Sequence, residues 1–214
     1  MSIPGIQRLT LRDQAITALR DAIVSGRLSP GSHVSEVDTA AQLGISRGTL
    51  REAMLTLQNE GLLTSGPRGR LAVRHMSDQE LRDLFDVRAA LEALAARTLA
   101  GSATREQAVA ALRVELESME GAAVDDLDRR MAADMNFHRR LCALTDNDVL
   151  LRAWSSLESS ILMSITNAGI DRAVHNMNVQ RHLDIVEAIA SGDQERAASS
   201  VRSHMDEAAS VLLG

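Results

Sequence analysis

The sequence predicts a mainly α protein, an N-terminal winged helix-turn-helix followed by an antiparallel all-α helical bundle. Three observations carry that expectation. Residues 45–63, ISRGTLREAMLTLQNEGLL, set Leu50, Ala53, Met54 and Leu57 at helical spacing on one face, behind a second short helix and a tight turn. Beyond residue 78 the chain contains neither proline nor the alternation of a half-buried strand. Charge is divided as well: residues 1–75 hold nine Arg against six Asp or Glu, a net of +3, whereas residues 76–214 hold fourteen Arg against twenty-three acids, a net of −9. Two units are therefore expected, 1–75 and 76–214, the first suited to a polyanion.

In chain order, residues 11–24 read as an amphipathic helix with Leu11, Ala15, Leu19, Ala22 and Ile23 on one side, closed by Gly26 and the Ser29-Pro30-Gly31 turn. Residues 34–43 form the next short helix, and Gly44 supplies the turn into residues 45–63. Ser46 is placed to cap that third helix. Arg47, Gly48, Arg51 and Gln58 fall on its solvent side, with both arginines in its first turns, where the helix dipole disfavours cations. That local cost points to an anionic partner. Residues 66–73, GPRGRLAV, read as a turn feeding a short strand, a basic wing, and residues 74–77 as a short linker. Six helical segments follow, at about 78–100, 105–121, 126–145, 147–167, 170–191 and 194–213, punctuated by Gly101, Gly121, Gly169 and Gly192.

Composition narrows the function further. Phe85, Phe137 and Trp154 are the only aromatic rings besides histidine, so the N-terminal third lacks the stacking platforms of single-strand binders, and duplex recognition is favoured. Every basic side chain is Arg, suited to bidentate contact with guanine and phosphate. The single Cys142 excludes an intrachain disulfide, the first residues lack a signal-peptide pattern, and no apolar run approaches the roughly 18 residues of a membrane span. A cytoplasmic protein is expected, with no membrane partner.

The blocks GRLSPGSHVSE, LGISRGTLREAMLTLQNEGLL and RGRLAV, in that order, resemble the winged-helix domain of the GntR family of bacterial transcription regulators over roughly the first 75 residues. One departure is local: Gly48, Thr49 and Leu50 stand where the family often has Thr-Pro-Val. The resemblance implies a regulator, most often a repressor, bound as a homodimer to a near-palindromic operator on double-stranded DNA. Ser46, Arg47, Thr49 and Arg51 on the helix, with Arg68, Gly69 and Arg70 on the wing, are the expected DNA-facing residues.

In the second unit, polar side chains occupy faces that should be buried. Leu127, Met131, Asp134, His138, Leu141 and Thr145 share one face; Asn178 and His182 share another with Ile185 and Ile189; His204 lies among Ala197, Val201, Ala208 and Val211. Singly, each histidine fits a hydrogen-bonded core residue. Together they would be costly to bury unpaired, and a divalent metal satisfies them at once: zinc by chemistry, with nickel, manganese or iron as alternatives. The pattern of an Asp with a His four residues on, then two His separated by 22 positions, resembles the helical FCD ligand-binding domain of the FadR-type branch of the same family. DVRAALEALAARTLA and RHLDIVEAIASGD extend the likeness. It implies Asp134, His138, His182 and His204 as metal ligands.

Arg88 falls within the inward stripe of Leu81, Leu84, Leu91 and Ala95. It is either the ion-pair partner of Glu92 one turn on or a clamp for a small organic acid effector whose other oxygen meets the metal. Arg88 and Asn178 make up the expected effector-binding set. His175 reads as a helix-end residue, Cys142 as a buried structural thiol, and His33 and His75 as surface or phosphate-facing groups. Three rival readings stand beside the metabolite sensor: a regulator that senses the metal itself, a purely structural metal, and a metal-dependent hydrolase with Glu92 as its general base. No HExxH motif is present, which weighs against the hydrolase, and no enzyme is expected.

Overall fold

A computed structural model describes residues 9–66, 69–122, 126–168 and 170–214. The chain divides into two compact units, the first ending at His75 and the second running from Met76 to Gly214.

In the first unit, helices α1 (Leu11–Val24), α2 (Glu36–Leu43) and α3 (Arg47–Asn59) precede a two-stranded antiparallel wing, β1 (Leu63–Ser65) and β2 (Leu71–Val73). Thr10 opens α1 with a capping box in which its hydroxyl accepts from the Asp13 amide and the Asp13 carboxylate accepts from the Thr10 backbone. Ser35 and Ser46 cap α2 and α3, and Gly44 ends α2 at φ +64, a left-handed conformation that glycine adopts without steric cost. Helix α3 is the centre of this unit and packs against α1, α2 and β1. Leu50, Ala53, Met54 and Leu57 are all fully buried, each large side chain contributing about 1.5–3 kcal/mol. The wing pairs Leu63 with Val73 and Ser65 with Leu71, and a bridge from His33 to Ala72 adds the segment before α2 to its edge. Arg20 clasps both carboxylate oxygens of Glu60, tying α1 to the end of α3. The inward face of α1 differs from the expected one: Ala15, Ile16, Leu19 and Ile23 are buried, while Leu11, at the open first turn, stays exposed.

The second unit is a helical bundle of α4 (Asp78–Ala100), α5 (Arg105–Glu120), α6 (Leu127–Ala143), α7 (Asp148–Ser155), α8 (Glu158–Asn167), α9 (Ile170–Asn176), α10 (Val179–Ala190) and α11 (Gln194–Leu213). Helices α4 and α11 pack along one another; α6 and α10 close over them. Two of the six expected segments are each broken in two. Between α7 and α8, the Ser156 hydroxyl bonds back to the Ala153 carbonyl and the Leu157 amide to Trp154, forming a tight turn that lets both Trp154 and Ile161 reach the core. Between α9 and α10, the Asn178 side chain caps α10 and starts a new helix. Periodicity does not register a break that keeps the apolar face in phase.

Candidate functional site

The candidate centre is assembled from four helices, since α6 contributes Asp134 and His138, α10 contributes His182, α11 contributes His204 and α4 contributes Arg88 and Glu92. All six side chains are buried. One ring nitrogen from each of His138, His182 and His204 lies within 4.8 Å of the others. Asp134 lies beside two of these imidazoles, with Oδ1 3.1 Å from His182 Nε2 and Oδ2 3.9 Å from His138 Nε2, but outside the mutual set the three histidines form. Phe137 meets His138 and His182 edge-on, walling the imidazoles from α6.

The hydrogen bonds fix which nitrogens are available. His182 Nδ1 lies 2.8 Å from the Asn178 carbonyl, an acceptor only, so it carries the proton and donates. His138 Nδ1 lies 2.6 Å from Glu92 Oε2. Glu92 Oε1 already accepts from Trp154 Nε1 at 2.8 Å and from Arg88 Nε at 3.1 Å, two groups that cannot accept in return. With both rings neutral the two Nε2 atoms are lone pairs facing one another at 3.2 Å with the Asp134 carboxylate beside them, whereas a proton on His182 Nε2 would be donated to Asp134 Oδ1 at 3.1 Å. In the neutral state three acceptors converge, and either a proton held between His182 and Asp134 or a bound cation supplies the missing positive charge. His204 Nδ1 adds a buried nitrogen without a hydrogen-bond partner. The three imidazoles could hold a divalent metal ion, with the Asp134 carboxylate beside two of them.

Electrostatics agree with this arrangement. Burial pushes the Asp134 and Glu92 carboxyls upward, but the hydrogen bond and charge of His182 outweigh it for Asp134, and the charges of His138 and Arg88 bring Glu92 down to about 2. Burial holds His138 below its ordinary value despite Glu92, and holds His204 far below, reinforced by its two neighbouring imidazoles.

Two expected effector residues are placed differently from one another. Arg88 makes the ion pair with Glu92 and lies against the Phe85 ring, yet its Nη2 is buried without a hydrogen-bond partner. Both readings of Arg88 thus retain an atom. The Asn178 side chain does not lie on the inward face expected for it: it is exposed and caps α10, because a residue at a helix N-cap turns outward to reach the first amides. Only its carbonyl serves the site. Glu92 is also unavailable as the general base of a hydrolase, being occupied by three donors. His175 is exposed at the end of α9, and Cys142 is buried with its thiol pushed up by burial. Sequence spacing carries no signal for Glu92 as a partner of His138 or for Trp154 as a partner of Glu92 beyond the inward position of Glu92 four residues after Arg88. His204 borders a surface cleft of about 160 Å³ lined also by Arg181, Ser203 and Glu207, and Arg181 donates to the His204 carbonyl at 2.8 Å.

On the first unit, Ser46 caps α3 and its hydroxyl bonds that of Thr49, while Arg47 is exposed. Arg51, expected on an open face, is paired with Glu36 of α2, which offsets part of its conflict with the helix dipole. Gly69 adopts φ +71 at the wing tip and Arg70 is exposed beside it; Arg68 lies outside the described residues.

Comparison with known proteins gives this geometry its context. Residues 11–73 match the bacterial regulatory proteins of the gntR family, and residues 83–207, more than half the chain, match the FCD domain. A probable D-xylose utilization operon transcriptional repressor from Paenarthrobacter nicotinovorans is 33% identical over 205 residues, covering 93% of this chain and 88% of its own length. The chain is a GntR-family transcriptional regulator with an FCD domain. The regulator is also 32% identical to the Nta operon transcriptional regulator of Aminobacter aminovorans over 182 residues, 85% of each chain. Its fold matches the crystal structure of a putative GntR transcriptional regulator from Rhodococcus sp. RHA1, with a TM-score of 0.77, 25% identity, and 95% and 97% of the two chains covered. This family and these relatives are DNA-binding transcription regulators rather than enzymes, and some are called repressors. Among the described residues no helix of the regulator is long and apolar enough to cross a membrane.

Proposed function

We propose that this regulator senses a small carboxylate metabolite at a divalent metal held by Asp134, His138, His182 and His204, and that occupancy changes its affinity for a near-palindromic operator. The observation that carries the reading is the convergence of three buried imidazoles, with His138 Nε2 and His182 Nε2 3.2 Å apart and the Asp134 carboxylate 3.1 Å from His182. A divalent cation supplies there the positive charge the chain lacks and coordination positions for an anionic oxygen. The buried Nη2 of Arg88, free of any hydrogen bond, suits the second oxygen of the same carboxylate. Zinc is the favoured ion for this donor set, with nickel, manganese and iron as the competitors to be tested.

DNA is read by a homodimer whose two α3 helices enter successive major grooves about 34 Å apart. Arg47, Thr49 and Arg51 face base edges and phosphates, Ser46 holds the start of the helix, and Arg68, Gly69 and Arg70 bring the wing to the backbone. The carboxylate acts only through differential affinity: it must bind one DNA-binding state more tightly than the other.

The test is a thermal-shift screen of zinc-loaded protein against small mono-, di- and hydroxy-carboxylates, repeated after chelation. A ligand at 100 times its dissociation constant adds about 2.7 kcal/mol of stability. Stabilisation by one acid only in the presence of zinc supports the reading. Unfolding on chelation with no response to any acid makes the metal structural, and DNA affinity that follows free zinc alone makes the metal the signal.

A further inference from the structure

We infer that Glu92 is the positioning residue of the metal centre, fixing the tautomer and orientation of His138 from outside the ligand set; this rests on the metal-binding reading above. Glu92 has no solvent exposure and three partners on three other positions of the bundle. Trp154 of α7 and Arg88 of α4 both donate to Oε1, at 2.8 and 3.1 Å, which pins that oxygen as an acceptor and sets the plane of the carboxylate. Oε2 then faces His138 Nδ1 at 2.6 Å. A carboxylate at that nitrogen holds the proton on Nδ1, leaves Nε2 free, and raises the basicity of Nε2. Nε2 is the atom directed at His182 and Asp134.

The backbone carbonyl of Asn178 does the same for His182, so two of the three imidazoles are held in the same tautomer by independent devices. The two devices differ in strength. A carboxylate withdraws the Nδ1 proton more strongly than a neutral amide carbonyl, so His138 is the more electron-rich donor of the pair. Replacing Glu92 by Gln breaks this device whichever way the amide lies. With its oxygen toward His138, the amide NH2 confronts the Trp154 and Arg88 donors. With its NH2 toward His138, Nδ1 must accept, and the proton moves to Nε2, where the metal would sit.

The experiment is zinc titration of the full-length wild-type and Glu92→Gln proteins by calorimetry, with circular dichroism to verify folding, together with nitrogen NMR of the histidine side chains in the wild type. Zinc binding weakened about 10- to 100-fold in folded Glu92→Gln is the expected result. Equal zinc affinity in the two proteins overturns the role of Glu92 while leaving the metal centre standing. Absence of zinc binding to the wild type overturns both. If Glu92→Gln does not fold, the wild-type spectrum decides: a protonated Nδ1 and a zinc-ligated Nε2 on His138 support the inference, and ligation through Nδ1 or a proton on Nε2 overturns it.

Discussion

Arg51 Nε lies 2.7 Å from Glu36 Oε2, so the second helix of the DNA-binding unit supplies the counter-ion to an arginine on the third. The Arg51 side chain is 58% exposed, and a pair this open contributes only about 0–1 kcal/mol to stability. On the proposed DNA-reading role its larger effect falls on DNA binding, because Arg51 would exchange Glu36 for a phosphate or a base. Glu36→Gln is expected to leave the melting temperature nearly unchanged and to tighten duplex binding, with a steeper dependence on salt. Filter binding across a salt series measures both; weaker binding by the variant would remove Glu36 as a competitor.

Arg47 has no such partner in the hydrogen bonds described and stands exposed in the first turn of α3. Arg47→Ala is expected to lose about 1–3 kcal/mol of affinity for the preferred operator and to accept more sequences. Selection of bound duplexes from a random pool, run on both proteins, checks loss and relaxation together. Unchanged affinity and an unchanged consensus would take Arg47 out of the reading surface.

Asp134→Asn separates the metal reading from a purely structural one by the sign of two effects. An Asn amide donates to His182 Nε2 from the place where Asp134 Oδ1 now lies at 3.1 Å, relieving the converging acceptors. The metal-free variant is therefore expected to melt above the metal-free wild type, while its stabilisation by zinc shrinks. Differential scanning fluorimetry with and without chelator reads both. A variant less stable than the wild type in both states would mean that Asp134 serves packing or hydrogen bonding alone.

Acid should destabilise the metal-free protein in two steps. His138 and His204 are held below their unfolded value of 6.5, first by burial, so the folded chain binds fewer protons than the unfolded one beneath that pH. Their contribution is present above 6.5 and is lost as pH falls from there through their folded values. Glu92, lowered to about 2 from 4.5 by His138 and Arg88 against the opposing effect of burial, adds a second loss between those values. Urea midpoints across the pH range follow this course, and stability that rises on acidification below 6.5 would contradict it.

The sequence by itself determined the class of both units and the buried faces of the helices that carry the two sites, but not the breaks that split two of the expected helical segments or the inward face of α1. Leu50, Ala53, Met54 and Leu57 mark the buried side of α3 because a 3.6-residue period leaves no other side to bury, and Ser46 and Gly44 mark its start and the preceding turn by cap chemistry. Asp134, His138, His182 and His204 stood out because polar groups on apolar faces need a compensating partner. Tertiary structure decided what those partners are. Asn178 turned outward to cap α10, and Glu36 reached Arg51 across the helix turn. Glu92 met His138 across 46 positions and Trp154 across 62. Local spacing fixes which way a side chain leaves its own helix, whereas a hydrogen bond between helices depends on how they cross, and that is set by packing of the whole core.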